Sequence, residues 1–215
     1  MKIHVLTVGA LAENCYLVID EATNHSVLID PGDEAARIVD AVRRSGSTLD
    51  AIWLTHAHFD HVGGIAGVRR ELAVPVHMHP LDAPLLSLAV DSALRYGFRI
   101  EAPPAEHEHL AEGDRVRVGS VELEVMHVPG HAPGHVAFHG EGVVFGGDCL
   151  FAGSVGRTDI DYGDPEALDA SLQRLTALGD ALTLYPGHGP ITTIGRERRT
   201  NPFVLGAARL VRVKR

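Results

Sequence analysis

The sequence predicts an α/β protein built on mixed β-sheets, and three observations support this class. The chain has 215 residues, of which 45% are hydrophobic and 22% charged, so it can bury a substantial core. Short runs rich in Val, Ile and Leu alternate with segments of helical periodicity. Strand-like runs occur in both halves and helices follow them, which favours helices packed on sheets. Because no repeat or long linker divides the chain, we expect residues 1–215 to form a single domain.

The first half of the chain alternates between predicted strands and helices. Strands are predicted at residues 2–8, 15–20, 26–29, 49–55 and 74–78. Helices are predicted where apolar residues recur every three or four positions, at residues 34–44, 64–72 and 85–94. The N-terminal run could also be a signal peptide, but His4, Thr7 and Gly9 interrupt it, so we interpret it as the first strand.

The second half begins with a predicted loop around Pro103 and Pro104 that continues through EHEHLAEGD. Paired strands turning at Gly119 are predicted over residues 116–128, and further strands at residues 136–138, 143–145 and 181–184. Residues 165–178 have helical spacing, with Asp164 as the N-cap and Pro165 in the first turn. The last strand leads into the loop YPGHGP.

Composition excludes several classes of function. With a net charge of -9, the chain offers no overall basic surface for a nucleic acid. The two cysteines, Cys15 and Cys149, can form neither a disulfide framework nor a Cys-x-x-Cys motif, which fits a reducing cytoplasm. No run approaches the roughly 20 apolar residues that cross a bilayer, so we expect no membrane partner. The 14 histidines instead indicate metal or acid–base chemistry.

The strongest motif is His-x-His-x-Asp-His at residues 56–61, directly after the strand DAIWLT. Side chains two apart in extended chain point to the same side, so His56 and His58 can share one cation. A turn after Phe59 would direct Asp60 and His61 to a second position beside the first. The spacing therefore predicts a metal site.

Three more candidate ligands follow other predicted strands. His131 lies in HVPGHAPGH, Asp148 in VVFGGDCLF and His188 in TLYPGHGP. Each is flanked by glycine, which lets the backbone turn and approach a crowded centre. A catalytic metal needs at least three protein ligands and one open position, so a converging set is expected.

These motifs, in this order, resemble those of the metallo-β-lactamase superfamily. Asn14-Cys15-Tyr16 and Asp30-Pro31-Gly32 are similar to its early strand motifs, and PGHAPGH, GGDCLF, GRTD and YPGHGP with the trailing ERRTNPF resemble short glyoxalase II-like hydrolases. The resemblance implies an αβ/βα four-layer sandwich with two mixed β-sheets and a two-metal site at their open edge. It implies that His56, His58 and His131 hold one metal, that Asp60, His61 and His188 hold the other, and that Asp148 bridges them.

The function implied is hydrolysis of a small-molecule thioester, such as an S-2-hydroxyacyl thiol. Two divalent ions, with zinc first and iron or manganese accepted by the same ligands, would lower the pKa of a shared water to give a bridging hydroxide. No Gly-x-Ser-x-Gly elbow offers a protein nucleophile instead. Asp60 is the candidate catalytic residue, because it can orient this nucleophile, and Asp30 is a candidate partner for a ligating histidine.

Other chemistry-bearing residues receive structural interpretations. We expect His135 to brace the site, Cys149 to be a small buried residue, and His107 and His109 to lie in a solvated loop. His77 and His79 are a rival pair on one strand face, but we expect no Asp or Glu ligand beside them and interpret them as surface or packing residues. Arg157 can contact an anionic substrate or pair with Asp159 or Asp161, and both interpretations stay open.

Two other functions stay open. Persulfide dioxygenases resemble this layout with a single iron, which His56, His131 and Asp148 would hold as two histidines and a carboxylate. An RNA phosphodiesterase of the same superfamily would need a basic patch, for which Arg196, Arg198 and Arg199 are the candidates. The Arg-rich tail could replace part of the glutathione-binding helices of long glyoxalase II enzymes or be a solvated helix face, and another thiol carrier could replace glutathione.

Overall fold

The computed structural model describes residues 1–211. The first sheet has six strands in sequence order: β1 (Lys2–Val8), β2 (Glu13–Asp20), β3 (His25–Ile29), β4 (Thr48–Trp53), β5 (Val76–Met78) and β6 (Glu108–His109). The first two pairs, β1 with β2 and β2 with β3, are antiparallel, and the remaining pairs are parallel. Helices supply the crossovers that parallel pairs require. They are α1 (Ala35–Ser45), α2 (Phe59–Val62), α3 (Ile65–Glu71) and α4 (Ala83–Arg95).

The second sheet has six strands in the order β14-β13-β10-β9-β8-β7. Its strands are β7 (Arg115–Val118), β8 (Val121–His127), β9 (Val136–Gly140), β10 (Val143–Gly147), β13 (Thr183–Pro186) and β14 (Thr192–Thr193). β11 (Leu150–Phe151) and β12 (Ser154–Val155) form a small hairpin. Only β10 and β13 pair in parallel within this sheet, and α5 (Pro165–Thr176) lies between them in sequence. The sheet is therefore mixed, as predicted.

The side-chain alternation of β2 shows how the layers form. Tyr16 and Val18 point into a core shared by the two sheets, whereas Leu17 and Ile19 point into a core on the other face with the helices of the first half. In the core between the sheets, the rings of Trp53 and Phe138 lie 5.3 Å apart. A third core packs α5 and α6 (Ile194–Thr200) on the second sheet. These layers are helix, sheet, sheet and helix, which confirms the predicted αβ/βα four-layer sandwich.

Local sequence signals predict the start of one helix correctly but do not predict a short strand. The Asp164 carboxylate accepts hydrogen bonds from the amides of Glu166 and Ala167, and Pro165 begins α5 as predicted. Strand β6 lies inside the predicted loop, because its pairing with β5 comes from the fold and not from local hydrophobicity. The tail contains helix α6, which the sequence left undecided, and residues 212–215 of the tail lie outside the described residues.

Within residues 1–211, none of the helices combines the length and the hydrophobicity needed to cross a bilayer.

Candidate metal centre

All seven predicted ligands lie in one cluster at an edge of the sandwich. Residues 56–61 follow β4 of the first sheet, and His131 lies between β8 and β9 of the second. Asp148 follows β10, and His188 follows β13. Because β10 and β13 are parallel neighbours, their carboxyl ends meet at the same edge, which brings these two residues together.

The first group of donors is His56, His58 and His131. One ring nitrogen from each lies within 4.8 Å of the others. The Nδ1 atom of His58 and the Nε2 atom of His131 are 2.8 Å apart. Residue His58 is extended, with φ -68° and ψ 149°, as the two-residue spacing of the motif predicts. The arrangement suits a cation shared by three imidazoles.

The second group is Asp60, His61 and His188, whose donor atoms also lie within 4.8 Å of one another. Asp60 and His61 are carried by α2, a short helix at the position of the predicted turn. The Oδ2 atom of Asp60 is 3.2 Å from Nε2 of His188. Gly32 permits this packing, because a Cβ there would overlap the carbonyl oxygen of Asp60.

Asp148 lies between the two groups. Its Oδ1 atom is 3.5 Å from Nε2 of His61, and its Oδ2 atom is 3.5 Å from Nε2 of His131. Oδ2 is also 3.6 Å from Nε2 of His188. Its carboxylate thus faces both groups, because Oδ1 lies toward His61 and Oδ2 lies toward both His131 and His188.

The donor atoms fit a bound metal. Within the described part of the chain, Nε2 of His56, Nε2 of His61 and Oδ1 of Asp148 are buried without a hydrogen-bond partner. Unpaired buried polar atoms are costly, and metal ions bound by the two groups would satisfy all three. Two ligand atoms on a tetrahedral zinc are roughly 3.4 Å apart, close to the distances that Asp148 makes here. The His and Asp clusters therefore fit a divalent-metal site.

Hydrogen bonds to the Nδ1 atoms orient three of the histidine rings. Nδ1–H of His131 donates to the carbonyl oxygen of Arg157 at 2.8 Å, and Nδ1–H of His188 donates to that of Leu11 at 3.1 Å. Nδ1 of His61 is 3.1 Å from Oδ2 of Asp30, as expected for a carboxylate that supports a ligating histidine. In each ring the proton is thereby placed on Nδ1, which leaves Nε2 free to bind a metal.

Electrostatics differ between the two groups. Burial lowers the pKa of His56 far below its usual value, and the neighbouring His61 and His58 lower it further. Burial likewise lowers the pKa of His58 to about 3. In the second group burial also opposes protonation of His61, but the Asp148 and Asp60 carboxylates outweigh it and raise its pKa. Burial therefore keeps the first group as neutral imidazole, the form that binds metal, whereas the second group contains the Asp60 carboxylate and lies beside that of Asp148.

His135, interpreted from sequence as a brace, lies beside the centre. Its Nε2 atom accepts a hydrogen bond from the Asp148 amide at 2.9 Å, and its ring stacks on that of His56 at 4.8 Å. Cys149 is buried as expected, and burial raises the pKa of its thiol to about 12. Arg157 pairs with Asp159, at 2.8 Å between Nε and Oδ1, so the ion-pair interpretation is confirmed.

The interpretation of His77 and His79 needs a correction. Pairing of β5 with β6 places Oε2 of Glu108 3.6 Å from Nδ1 of His77, so an acidic residue is near after all. The ring of His79 instead stacks parallel on His127, with centroids 4.4 Å apart. Their nitrogens join none of the donor groups close enough for an ion in the described residues, so they form no rival metal site.

Two buried acids beside the centre were missed by sequence reasoning. Glu13 is 1% exposed, and its Oε1 atom lies 3.8 Å from Nδ1 of His61. Asp82 is fully buried and accepts hydrogen bonds from the amides of Ala57 and Gly134. Glu13 lies in a segment that reads as a polar turn and Asp82 lies between two prolines, so neither carries a local signal.

A cavity of about 620 Å³ opens onto the centre. The predicted ligands at its base are His58, Asp60, His131, Asp148 and His188. Apolar residues of α4, including Leu85, Leu88 and Ala89, form part of its wall. A cavity of this size with a few convergent polar groups is typical of a small-molecule site.

Comparison with known proteins agrees with this geometry. Residues 8–188 match the family profile of the Metallo-beta-lactamase superfamily. The chain is 36% identical over 209 residues to hydroxyacylglutathione hydrolase GloC of Haemophilus influenzae, covering 95% of this chain and 98% of that protein.

Solved structures share the same fold over nearly the whole chain. The crystal structure of TTHA1623 in a di-iron-bound form is 48% identical, with a TM-score of 0.88, and the match covers 93% of this chain and 99% of that one. BLEG-1, a B3 metallo-β-lactamase, is 36% identical, with a TM-score of 0.87 and coverage of 94% and 99%. The fold and the site define a hydrolase that binds divalent metal. The chain belongs to the metallo-β-lactamase superfamily.

Proposed function

We propose that this hydrolase cleaves thioesters such as S-2-hydroxyacyl thiols and holds two divalent ions. The observation that carries the proposal is the Asp148 carboxylate, which lies within 3.6 Å of histidine nitrogens from both donor groups. The similarity to hydroxyacylglutathione hydrolase GloC supports the substrate class, and the di-iron form of TTHA1623 supports the metal count.

The proposed ligand set follows the two groups. His56, His58 and His131 would hold one ion, Asp60, His61 and His188 would hold the other, and Asp148, which lies between the groups, would contribute to both. Zinc is the proposed metal, and iron or manganese fits the same nitrogen and oxygen donors. Such a pair of ions supplies Lewis acidity and a deprotonated water at neutral pH, so no protein nucleophile is needed.

The chain's own residues prepare the reaction. The Oδ2 atom of Asp60 lies 3.2 Å from Nε2 of His188, and Asp60 borders the cavity, so its carboxylate can orient the attacking water toward the substrate carbonyl. The apolar wall of α4 removes bulk water from the thioester, which strengthens the electrostatic interactions in the site. Cys149 takes no part as a nucleophile, because its buried thiol stays protonated at neutral pH.

The proposal is tested by metal analysis together with hydrolysis of a lactoyl thioester. We expect two metal ions per chain, loss of activity on chelation, and recovery on adding metal back. His58→Gln should remove metal and activity together, whereas His25→Gln, which removes an imidazole paired with Asp50 outside both donor groups, should change neither. A fully loaded protein that leaves thioesters intact would refute the proposal.

The other functions give different results in the same samples. One iron per chain with oxygen uptake would favour the persulfide dioxygenase, and cleavage of a β-lactam over a thioester would favour the activity named for BLEG-1. An RNA phosphodiesterase is less well supported, because Arg198 and Arg199 both pair with Asp180 at distances of 2.8 and 3.2 Å. The basic patch considered from sequence is therefore partly neutralised.

A further inference from the structure

We propose that the cavity selects thioesters whose thiol portion is uncharged and apolar. Asp159 contributes to this selectivity because its ion pair with Arg157 keeps the guanidinium from binding a substrate anion. The inference rests on the proposed thioesterase function and specifies its substrate class. It follows from the charges and the apolar surface of the cavity wall.

The wall offers large apolar side chains to a ligand. Leu88 and Tyr96 from α4 and its C-terminal end line the cavity and are 36% and 57% exposed. Tyr162, from the segment that follows β12, is 52% exposed and lines it too. Exposed aromatic and aliphatic groups that converge beside a reaction centre mark a binding surface for an apolar group. Each methylene buried there strengthens binding by roughly fourfold.

The cations of the wall are already paired. Among residues 1–211, the Lys and Arg side chains that line the cavity are Arg95 and Arg157. Nε of Arg157 lies 2.8 Å from Oδ1 of Asp159 and its Nη2 lies 3.2 Å from Oδ2, a forked pair. Nη1 of Arg95 lies 3.2 Å from Oδ2 of Asp161. Outside the proposed ligands, the ionised side chains of the wall therefore sum to zero.

This pairing discriminates against an anionic thiol. A substrate carboxylate near Arg157 would have to displace Asp159 or remain beside both charges, where attraction and repulsion nearly cancel. Outside the proposed metal ions, which act on both compounds at the shared acyl group, the net charge of -9 gives the rest of the surface no compensating attraction. An uncharged thiol pays neither cost, and its apolar portion can pack against the apolar side chains of the wall.

The test compares two thioesters of matched shape, S-lactoyl-6-mercaptohexanamide and S-lactoyl-6-mercaptohexanoate, which differ by an amide and a carboxylate. We expect wild-type kcat/KM to favour the amide. Asp159→Asn frees Arg157 and should shift the ratio toward the carboxylate by roughly three- to fivefold, the scale of an exposed ion pair. Adding salt should reverse that shift in the variant.

Controls separate this effect from damage to the metal centre. Both substrates are measured on the same preparation, so metal occupancy cancels in the ratio. Asp180→Asn breaks a comparable pair with Arg198 and should leave the ratio unchanged. Arg157→Gln removes the guanidinium itself, so kcat/KM for the carboxylate substrate should not rise relative to the amide.

The outcomes also distinguish the two proposals. A wild-type preference for the carboxylate, or an unchanged ratio in Asp159→Asn, would overturn the inference while thioester cleavage itself stands. Failure of the loaded protein to cleave either compound would refute the proposed function instead.

Discussion

Asp30 and Asp82 are both buried carboxylates beside the metal centre, but they hold different parts of it. Asp30 accepts hydrogen bonds from the amide and the hydroxyl of Thr55, at 2.7 and 2.6 Å, and contacts the ring of His61. Asp82 contacts no proposed ligand side chain through a hydrogen bond. It accepts the amides of Ala57, from the loop after β4, and Gly134, from the loop between β8 and β9.

Asp30 therefore orients a ligand ring, whereas Asp82 fixes the relative position of two loops. Asp30 fixes which nitrogen of His61 carries the proton, so it acts on one ligand directly. Asp82 joins the loop of the first sheet that carries His56 and His58 to the loop of the second sheet that carries His131. The three-imidazole group can form only when these two loops are held together. We therefore expect changes at Asp82 to affect stability, and changes at Asp30 to affect metal affinity.

The largest expected effect is the pH dependence of the free energy of unfolding that Asp82 causes. Burial raises the pKa of its carboxyl from 3.8 to about 7, although its two amide hydrogen bonds oppose the rise. Between these values the folded chain keeps a proton that the unfolded chain releases. The contribution of Asp82 to stability is therefore fully present below pH 4 and is lost as pH rises toward 7, by about 2 to 4 kcal/mol.

The free energy of unfolding, measured on chelated protein between pH 4 and pH 8, checks this sign. Asp82→Asn does not titrate and retains one of the two acceptor oxygens, so it loses one amide hydrogen bond at every pH. The difference in unfolding free energy between wild type and variant should therefore shrink as pH rises. Subtracting the two curves removes the titration of the metal-site histidines, which both proteins share. Parallel curves would show that Asp82 titrates in the same way in the folded and the unfolded chain.

The second prediction concerns Asp30→Asn, which should weaken metal binding by 10- to 100-fold. The carboxamide must direct its NH2 group either at the Thr55 amide or at Nδ1–H of His61, and each is a donor. Competition with a chelator measures the affinity. Asp50→Asn, which removes the acidic partner of His25, is the matched control and should leave it unchanged.

The same two aspartates show what the sequence could predict about the site. Asp30 is predicted as a histidine partner because a ligating histidine usually donates its second N–H to a carboxylate or carbonyl group. Asp82 has no such signal, since its role depends on amides from loops 25 and 52 residues away in sequence. Four of the seven clustered residues lie together in the motif after β4, and the other three, His131, Asp148 and His188, follow predicted strands beside glycine, which is why local patterns are sufficient to find them. Glu13 was missed because its burial depends on distant residues such as His61.

The fold shows a similar division. The apolar run of β2 and the cap of α5 are local properties, and the predicted elements there are close to the observed ones. Strand β6 has two exposed residues and exists because β5 offers it an edge. Its sequence, Glu108 and His109, carries no strand pattern that could have predicted it.

The smallest expected effect is at Thr55, whose hydroxyl joins Asp30 to the first donor group. It donates to Oδ2 of Asp30, and its oxygen lies 3.1 Å from Nδ1 of His56. Thr55→Val keeps the shape but removes this hydroxyl, and should lower the free energy of unfolding by about 1 to 2 kcal/mol, with a loss of metal affinity below tenfold. Thr55→Ser keeps the hydroxyl and should lie close to wild type in both measurements. If Thr55→Val weakened metal binding as much as Asp30→Asn, the hydroxyl and not the contact with His61 would be the main route by which Asp30 supports the centre.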